Sequence, residues 1–266
     1  MADASHMRIT VLGTRGSLPV CGSDFAIFGG NTSCYLVETG DESIFLDAGS
    51  GLANAPVSFP HDPIILLSHL HVDHLLGLGM YARLSQPNAA TKIYVPARDA
   101  QEAKRAVERL YSFPLWPLEL SEYGGDPAFC AMQETMCFGE VTVYTEQGSH
   151  PGGCKLIKIC HGQTTLVYAT DFEHSEEACE RLVAFARGAD LLLYDGQYDE
   201  DAYDTHRGFG HSTPAMGRTL MKRCGAKRLL VVHHDPRSTD QVLHAREQAL
   251  GASNIRFARE GEVIEL

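Results

Sequence analysis

IILLSHLHVDH, residues 64–74, is the stretch that decides the fold and points to the chemistry. Three imidazoles and one carboxylate occupy residues 69–74, directly after an apolar run that is typical of a buried strand. Imidazole binds zinc and neighbouring divalent ions, and carboxylate oxygens bind the same ions when two share a site. His69 and His71 point the same way in an extended segment, because side chains alternate with period two. Asp73 and His74 follow where we expect the strand to turn into a helix, so they can reach a second ion beside the first.

The composition is that of an acidic globular chain. Of its 266 residues, 44% are hydrophobic, which is enough to bury a sizeable core. The 22 basic and 34 acidic residues give a net charge of −12, which repels phosphate backbones and anionic lipids. We therefore do not expect nucleic acid or a membrane as a partner. The sequence also shows no apolar run near the roughly 20 residues that a membrane span needs.

The chain start and the cysteines bear on domain organisation and compartment. Residues 1–6 resemble added residues ahead of a native start at Met7, so we expect residues 7–266 to form a single domain. No secretion signal is recognised, which predicts a cytoplasmic location. The eight cysteines form no C-x-x-C pair and are expected to be reduced, with Cys154, near His150, packed in the core. The oligomeric state stays open, with a homodimer as one candidate.

Strand and helix patterns follow each other along both halves of the chain. Residues 112–127 hold three prolines and the only tryptophan, which is typical of either a lid or a packed connector. With no linker and no repeat, the pattern predicts an α/β fold of two sheets between outer helices. Strands are predicted at 8–12, 33–38, 43–47, 64–67, 93–95, 141–145, 155–160, 164–169, 191–194 and 229–232, and in a short closing pair. Helices are predicted at 74–84, 98–111, 176–187, 213–224 and 239–250.

Further metal-binding side chains come where later strand patterns end. His150 follows residues 141–145, Asp171 follows residues 165–169, and His233 and His234 follow residues 229–232. Polar residues at the ends of buried strands converge on one edge of an open α/β sheet. Together with the first motif, these residues predict one shared metal site.

The order His-x-His-x-Asp-His, a lone His, an Asp and a final His resembles the metallo-β-lactamase-fold hydrolases, from Met7 onward. The resemblance implies an α/β four-layer αββα sandwich with two divalent ions at one edge. Zinc is expected, although His and Asp ligands also accept manganese and iron. By position, the resemblance assigns His69, His71 and His150 to the first ion, Asp73 and His74 to the second, Asp171 as the bridging carboxylate, and His233, in preference to His234, as the last ligand.

A second segment is similar to the phosphodiesterase branch of these hydrolases, which includes the tRNA 3′-processing endonucleases. Gly210-His211-Ser212-Thr213 opens the last helix but one and matches that branch's Gly-His-Ser-Thr-type signature. There the histidine is a general acid oriented by a carboxylate, a place that Asp195 occupies here. Residues 14–17 and 29–33 also look like loops of this branch, and Asp47 looks like the carboxylate that supports the metal histidines.

These resemblances imply a dinuclear phosphodiesterase. A bridging hydroxide lying against Asp73 and Asp171 would attack phosphorus, and His211 would protonate the leaving alkoxide. The acidic charge, and the lack of an obvious basic arm for tRNA, favour a small or cyclic phosphodiester substrate. Two alternatives stay open: a hydrolase of carbon esters, thioesters or lactams, and a non-catalytic metal-binding module. The candidates for cations that face a substrate phosphate are Arg15, Arg207 and Arg237.

Overall fold

A computed structural model describes residues 6–266, so the prediction for residues 1–6 falls, apart from His6, outside the described residues. Within this range the first strands are β1 (Arg8–Gly13), β2 (Cys34–Thr39), β3 (Glu42–Leu46), β4 (Ile64–Leu66), β5 (Lys92–Val95), β6 (Ala128–Ala131) and β7 (Thr135–Phe138). The later strands are β8 (Val141–Gln147), β9 (Lys155–His161), β10 (Thr164–Ala169), β11 (Leu191–Asp195), β12 (Leu229–Val232), β13 (Ile255–Phe257) and β14 (Val263–Glu265). The helices are α1 (Ala100–Glu108), α2 (Glu176–Phe185), α3 (Glu200–Tyr203), α4 (Pro214–Cys224) and α5 (Asp240–Leu250).

The strands form two seven-stranded sheets. The first has the order β14-β1-β2-β3-β4-β5-β6 and the second the order β13-β12-β11-β10-β9-β8-β7. Strand β11 shows how the layers arise: Leu191 and Leu193 lie in the core between the sheets, whereas Leu192 and Tyr194 pack against the helices. This alternation follows from the period-two geometry of a strand that is buried on both faces.

Three apolar clusters separate four layers. One lies between the sheets, one between the second sheet and α2, α4 and α5, and one between the first sheet and α1 with its neighbouring turns. The predicted αββα sandwich is therefore confirmed. The core between the sheets runs from Met7 to Ile264, and on this basis we propose that residues 7–266 form one domain. Across residues 6–266, none of the helices has the length and apolarity required to span a bilayer.

Strand direction brings the predicted ligands to one edge. Strands β3 to β6 are parallel, and so are β10 to β13. Strand β8 is antiparallel to β9, which is antiparallel to β10, so β8 also runs with the parallel set. The carboxyl ends of β3, β4, β8, β10, β11 and β12 are the points from which the candidate site residues leave the sheets.

The helix predicted over residues 74–84 is wrong. The chain there forms short 3₁₀ turns at Val72–His74, Leu78–Met80 and Ala82–Ser85. Two glycines explain the difference, because glycine is a poor helix former and both have the backbone pressed against a neighbour. A Cβ on Gly77 would lie 2.2 Å from the Gly49 carbonyl oxygen, and one on Gly79 would lie 2.4 Å from the Trp116 ring.

Residues 112–127 are anchored to the body of the protein at Trp116 and Tyr123, whereas Phe113, Leu115 and Leu118 are exposed. The Trp116 indole N–H donates to the Tyr123 hydroxyl at 2.7 Å, and that hydroxyl donates to the Gly79 carbonyl at 3.0 Å. The predicted closing strand pair is also corrected, because β13 pairs with β12 and β14 pairs with β1 in the other sheet. Both are short edge strands, and a hydrophobic pattern does not say which sheet such a strand joins.

Candidate metal centre

The first motif folds into an extended segment followed by one tight turn. His69 leaves β4 through Ser68, and His71 precedes the turn that carries Asp73 and His74. His69, Asp73 and His74 are buried, whereas His71 is exposed to solvent. The extended backbone puts His69 and His71 side by side, with ring centroids 4.6 Å apart, as period-two alternation predicts.

The first group of possible ligands joins His69 and His71 to the second sheet. His150 follows β8, and its Nε2 lies 3.0 Å from the His71 Nδ1. Asp171 follows β10, and its Oδ2 lies 3.4 Å from the His69 Nε2 and 3.6 Å from the His150 Nε2. The ligand atoms of these four residues all lie within 4.8 Å of one another.

The second group uses the other oxygen of Asp171. The Asp171 Oδ1 lies 3.0 Å from the His233 Nε2 and 3.4 Å from the His74 Nε2. The Asp73 Oδ2 lies 3.2 Å from the His233 Nε2 and 3.4 Å from the His74 Nε2. Asp171 therefore presents one carboxylate oxygen to each group, which is the arrangement expected of a bridging ligand.

The spacing of these atoms fits divalent ions. Four donors placed tetrahedrally about 2.0–2.1 Å from an ion are about 3.3 Å apart, close to the 3.0–3.6 Å separations seen here. The buried His69 Nε2 has no hydrogen-bond partner within the described residues, although buried polar atoms are almost always paired. A cation bonded to this nitrogen would remove that deficit.

A buried carboxylate fixes two of the histidines. The Asp47 Oδ2 lies 2.7 Å from the His74 Nδ1 and accepts hydrogen bonds from the Ser68 and Tyr168 hydroxyls, each at 2.7 Å. The Ser68 hydroxyl oxygen in turn lies 3.0 Å from the His69 Nδ1, from which it can accept a hydrogen bond. Both Nδ1 atoms therefore act as donors, which leaves the Nε2 lone pairs of His69 and His74 free for an ion.

Unusual backbone conformations place several of these groups. Asp47, His233 and Ser17 have positive φ angles of 58°, 60° and 62°, in the left-handed region that non-glycine residues rarely adopt. Such conformations cost of order 1 kcal/mol or more each and cluster at functional sites. The Ser17 backbone N–H uses its conformation to donate to the Asp73 Oδ2 at 2.7 Å. A Cβ on the preceding Gly16 would lie 2.2 Å from the His233 ring, so only glycine fits there.

His211 and Asp195 form a pair beside the second group. Asp195 ends β11, and its Oδ2 lies 2.8 Å from the His211 Nδ1. The His211 ring stacks on His233 with centroids 4.8 Å apart. Asp195 also accepts hydrogen bonds from the backbone N–H groups of Phe172 and Gln197, at 3.2 and 3.0 Å. The carboxylate is thus held in place, and it orients the imidazole with the Nε2 directed away from it.

Burial and neighbouring charges set the protonation states of the site residues. Burial alone would raise the pKa of Asp171, but the imidazoles of His233, His74 and His69 hold it well below its usual range. Burial alone would lower the pKa of His211, but Asp195, with smaller contributions from Asp171 and Asp73, raises it to about 9. Burial lowers the pKa of His150 to about 4 despite the charge of Asp171. Ionised carboxylates and a neutral His150 are the protonation states that metal binding requires.

Other candidates from the sequence lie elsewhere. The His234 imidazole donates to the Ala258 carbonyl at 3.0 Å and stacks on Phe257, so it does not join the ligand groups. Arg15 is fully buried and donates to the backbone carbonyls of Gly29 and Ser238, each at 2.7 Å, so it cannot face a substrate phosphate.

The two remaining arginine candidates form ion pairs with neighbouring carboxylates, and Cys154 packs in the core. Arg207 and Arg237 are ion-paired with Asp204 and Asp235, each at 2.7 Å. Cys154 is buried, as expected, and its thiol donates to the Asp171 carbonyl at 3.1 Å. All eight cysteines are free in the described part of the chain.

Several supporting groups escape sequence reasoning. The Ser17 N–H and the Gly210 carbonyl, which lies 2.8 Å from the His150 Nδ1, act through the backbone, so the residue type gives no direct signal. Gly210 has φ 94°, and a Cβ there would lie 2.0 Å from the His150 Nδ1. Tyr168 contacts Asp47 from the opposite sheet, and only its inward-facing position on β10 could have suggested this.

The protein has an αββα sandwich with two groups of imidazoles and carboxylates, which share Asp171, at one edge. This combination is typical of metal-dependent hydrolases with the metallo-β-lactamase fold. Family comparison agrees, because residues 42–234 match the family described as "Beta-lactamase superfamily domain". The chain belongs to this family and is a metal-dependent hydrolase.

Individual relatives extend this assignment. "Probable metallo-hydrolase YhfI" of Bacillus subtilis (strain 168) is 24% identical, over 97% of this chain and 100% of its own length. Its crystal structure matches with a TM-score of 0.75 at 22% identity, covering 98% of this chain and 100% of that one. "Ribonuclease Z" of Ignicoccus hospitalis is 26% identical, over 76% of this chain and 81% of its own length.

A further solved structure, titled "Crystal Structure of a New Diphosphatase from the PhnP Family", has a TM-score of 0.74 at 17% identity. The match covers 98% of each chain, and at this level of identity it shows that the two proteins share a fold. The relatives named Ribonuclease Z bear on one expectation from the sequence. These relatives match along most of this chain. The expectation that nucleic acid is not a partner, which was based on the net charge, is therefore not supported.

Proposed function

We propose that the protein is a dinuclear zinc-dependent phosphodiesterase that acts on a small or cyclic phosphodiester. The observation that carries the proposal is the pairing of two ligand groups, shared through Asp171, with the Asp195–His211 pair beside them. His69, His71 and His150 would hold one ion, Asp73, His74 and His233 the other, and Asp171 both. Zinc is the preferred metal because imidazole nitrogen supplies most of the ligands, at tetrahedral spacing.

The chain's own residues supply the proton chemistry. Bound divalent ions would lower the pKa of a water molecule and bind phosphoryl oxygens. The carboxylates of Asp73 and Asp171 can accept a hydrogen bond from the attacking water. The His211 Nε2 can donate a proton to the leaving oxygen, because its Nδ1 is held by the Asp195 Oδ2 at 2.8 Å. A positioned acid of this kind contributes about 10²–10⁴-fold to the rate.

The Asp195–His211 pair is what favours a phosphodiester over a carbon ester, thioester or lactam. Cleavage of an alkyl phosphodiester expels an alkoxide, which is a poor leaving group unless it is protonated. In support of this role, the ligand atoms of Asp171, Asp195, His211 and His233 lie within 4.8 Å of one another, so His211 is close to the proposed metal site. The net charge of −12 does not separate a small substrate from a polyanion, so salt dependence has to make that distinction.

RNA is the second candidate substrate because several relatives carry the name Ribonuclease Z. Salt dependence separates the two candidates. Binding of an RNA strand would weaken steeply as salt is raised, with a slope set by the number of phosphates contacted, whereas a small diester contacts one or two. For a small phosphodiester substrate, we expect the binding affinity to change little as the salt concentration is raised.

The experiment combines metal analysis with a substrate panel. Protein prepared with zinc should contain about two zinc ions per chain and hydrolyse bis(p-nitrophenyl) phosphate or a cyclic nucleotide. The His69→Ala variant should lose metal and activity, and His244→Ala, which alters an exposed histidine of α5, should lose neither. Turnover of a lactam or thioester with none of any phosphodiester would refute the proposal, and cleavage of RNA alone would restrict it to nucleic acid.

A further inference from the structure

A hollow opens beside the first ligand group. It lies in the groove between the two sheets, at the edge formed by the carboxyl ends of the strands that carry the site residues (the carboxyl edge). Its volume of about 410 Å³ is within the range of small-molecule sites. A Cβ on Gly152 at its wall would lie 3.8 Å from the Nε2 of His71, so the hollow adjoins the solvent-exposed side of that ligand. The residues that line it are Pro96, Ala97, Met132, Gln147, Gly152, Gly153, Cys154 and Lys155.

Lys155 is the one cationic residue among those lining residues. It begins β9, where alternation puts it on the same face as Ile157 and Ile159, which lie in the core between the sheets. Strand β9 runs antiparallel to β8 and β10, so its first residue sits at the same edge as the metal ligands. The side chain of Lys155 therefore belongs to the mouth of the groove and not to the helix-covered face.

The ammonium group of Lys155 is uncommitted. Among residues 6–266 it forms no ion pair, whereas the next lysine of the strand, Lys158, donates to the Phe185 carbonyl at 3.2 Å and lies over the Phe185 ring. What sets Lys155 apart from the other basic residues without an ion pair is its position at the hollow beside the first ligand group. The apolar side chains of Pro96, Ala97 and Met132 line the same hollow, which suits an organic group that ends in an anion.

We propose that this hollow, the Lys155 subsite, holds one substituent of the substrate and that Lys155 binds a second anionic group on that substituent. The subsite rests on the proposed phosphodiesterase function, with the scissile phosphate at the ligand groups. The substrate class that follows is a phosphodiester with a further phosphate or carboxylate, such as a phosphorylated nucleoside or sugar. A charge-assisted hydrogen bond from an ammonium group supplies the recognition.

The test compares two substrates that differ by one anionic group. These are the p-nitrophenyl ester of thymidine 5′-phosphate and the same compound with a 3′-phosphate, and a 3′-carboxymethyl analogue distinguishes phosphate from carboxylate recognition. The wild-type metal-loaded enzyme should prefer the substrate with the 3′-phosphate, as judged by kcat/KM. In Lys155→Met this preference should fall about ten- to hundredfold, as expected for losing a hydrogen bond between charged groups. Lys155→Arg should keep most of the preference.

Lys92→Met provides the matched control, because it removes the same charge at the amino end of β5, away from the carboxyl edge. The control should keep the wild-type preference. No preference in the wild type, or the same preference in Lys155→Met as in the wild type, would overturn the subsite while leaving the phosphodiesterase function in place. Turnover of neither substrate by zinc-loaded wild type would overturn the proposed function itself, and the subsite with it.

Discussion

Replacing His211 with alanine tests the proposed mechanism most directly, because the effect should depend on the leaving group. The imidazole is held by the Asp195 Oδ2 at 2.8 Å and stacks on His233, so its loss removes a positioned proton donor. For an alkyl ester of a nucleoside 5′-phosphate, we expect kcat to fall about 10²–10⁴-fold, or about 3–5 kcal/mol of transition-state stabilisation. For the p-nitrophenyl ester of the same nucleotide, we expect a fall of less than about tenfold, since p-nitrophenolate leaves without protonation.

Steady-state kinetics on both esters, with chromatography of the released nucleotide, would measure the two losses on one scale. Asp195→Asn should reproduce part of the alkyl-ester loss, because the amide cannot stabilise a protonated imidazole. His244→Ala on the surface of α5 serves as the control and should match the wild type on both esters. Equal losses for the alkyl and p-nitrophenyl esters would show that His211 does not protonate the leaving group, and the reasoning would fail.

Three further predictions concern metal affinity and stability. Asp47→Ala should weaken zinc binding about 10–100-fold, measured by competition with a chromophoric chelator, because Asp47 orients His74; unchanged affinity would contradict this role. Gly16→Ala should lower the metal-dependent gain in Tm, seen by calorimetry with and without zinc, because its Cβ would meet the His233 ring at 2.2 Å. Burial lowers the pKa of His174 to about 4, so its contribution to stability is fully present above about pH 6.5 and is lost as the pH falls towards 4. His174→Gln should flatten that part of the stability–pH curve in urea titrations, and an unaltered slope would refute the assignment.

The residues that sequence reasoning could place are those whose chemistry is visible in the residue type. Buried strand patterns end at His69, His150, Asp171 and His233, and parallel strands bring such ends to one edge, so the ligand set is accessible to prediction. Whether each residue binds an ion remains a prediction until metal is measured. The helix over residues 74–84 failed because local propensity was outweighed by close backbone packing at glycines.

The supporting contacts were harder to predict because they depend on tertiary structure. Arg15 looked like a candidate for phosphate binding, yet its guanidinium is buried and held by backbone carbonyls. The Ser17 amide and the Tyr168 hydroxyl reach their carboxylates from 56 and 121 residues away. Neither contact has a local pattern, and a single sequence carries no record of such long-range pairs.

The ligand groups are divided along the chain in a way that bears on biosynthesis. Four of the seven residues lie before position 75, whereas His150, Asp171 and His233 come much later. A nascent polypeptide emerging from the ribosome would thus expose only part of the proposed ligand set until His233, directly after β12, has been made. Tight metal uptake should follow release of the finished chain, and stalled fragments ending before residue 233 should compete poorly for scarce transition metal.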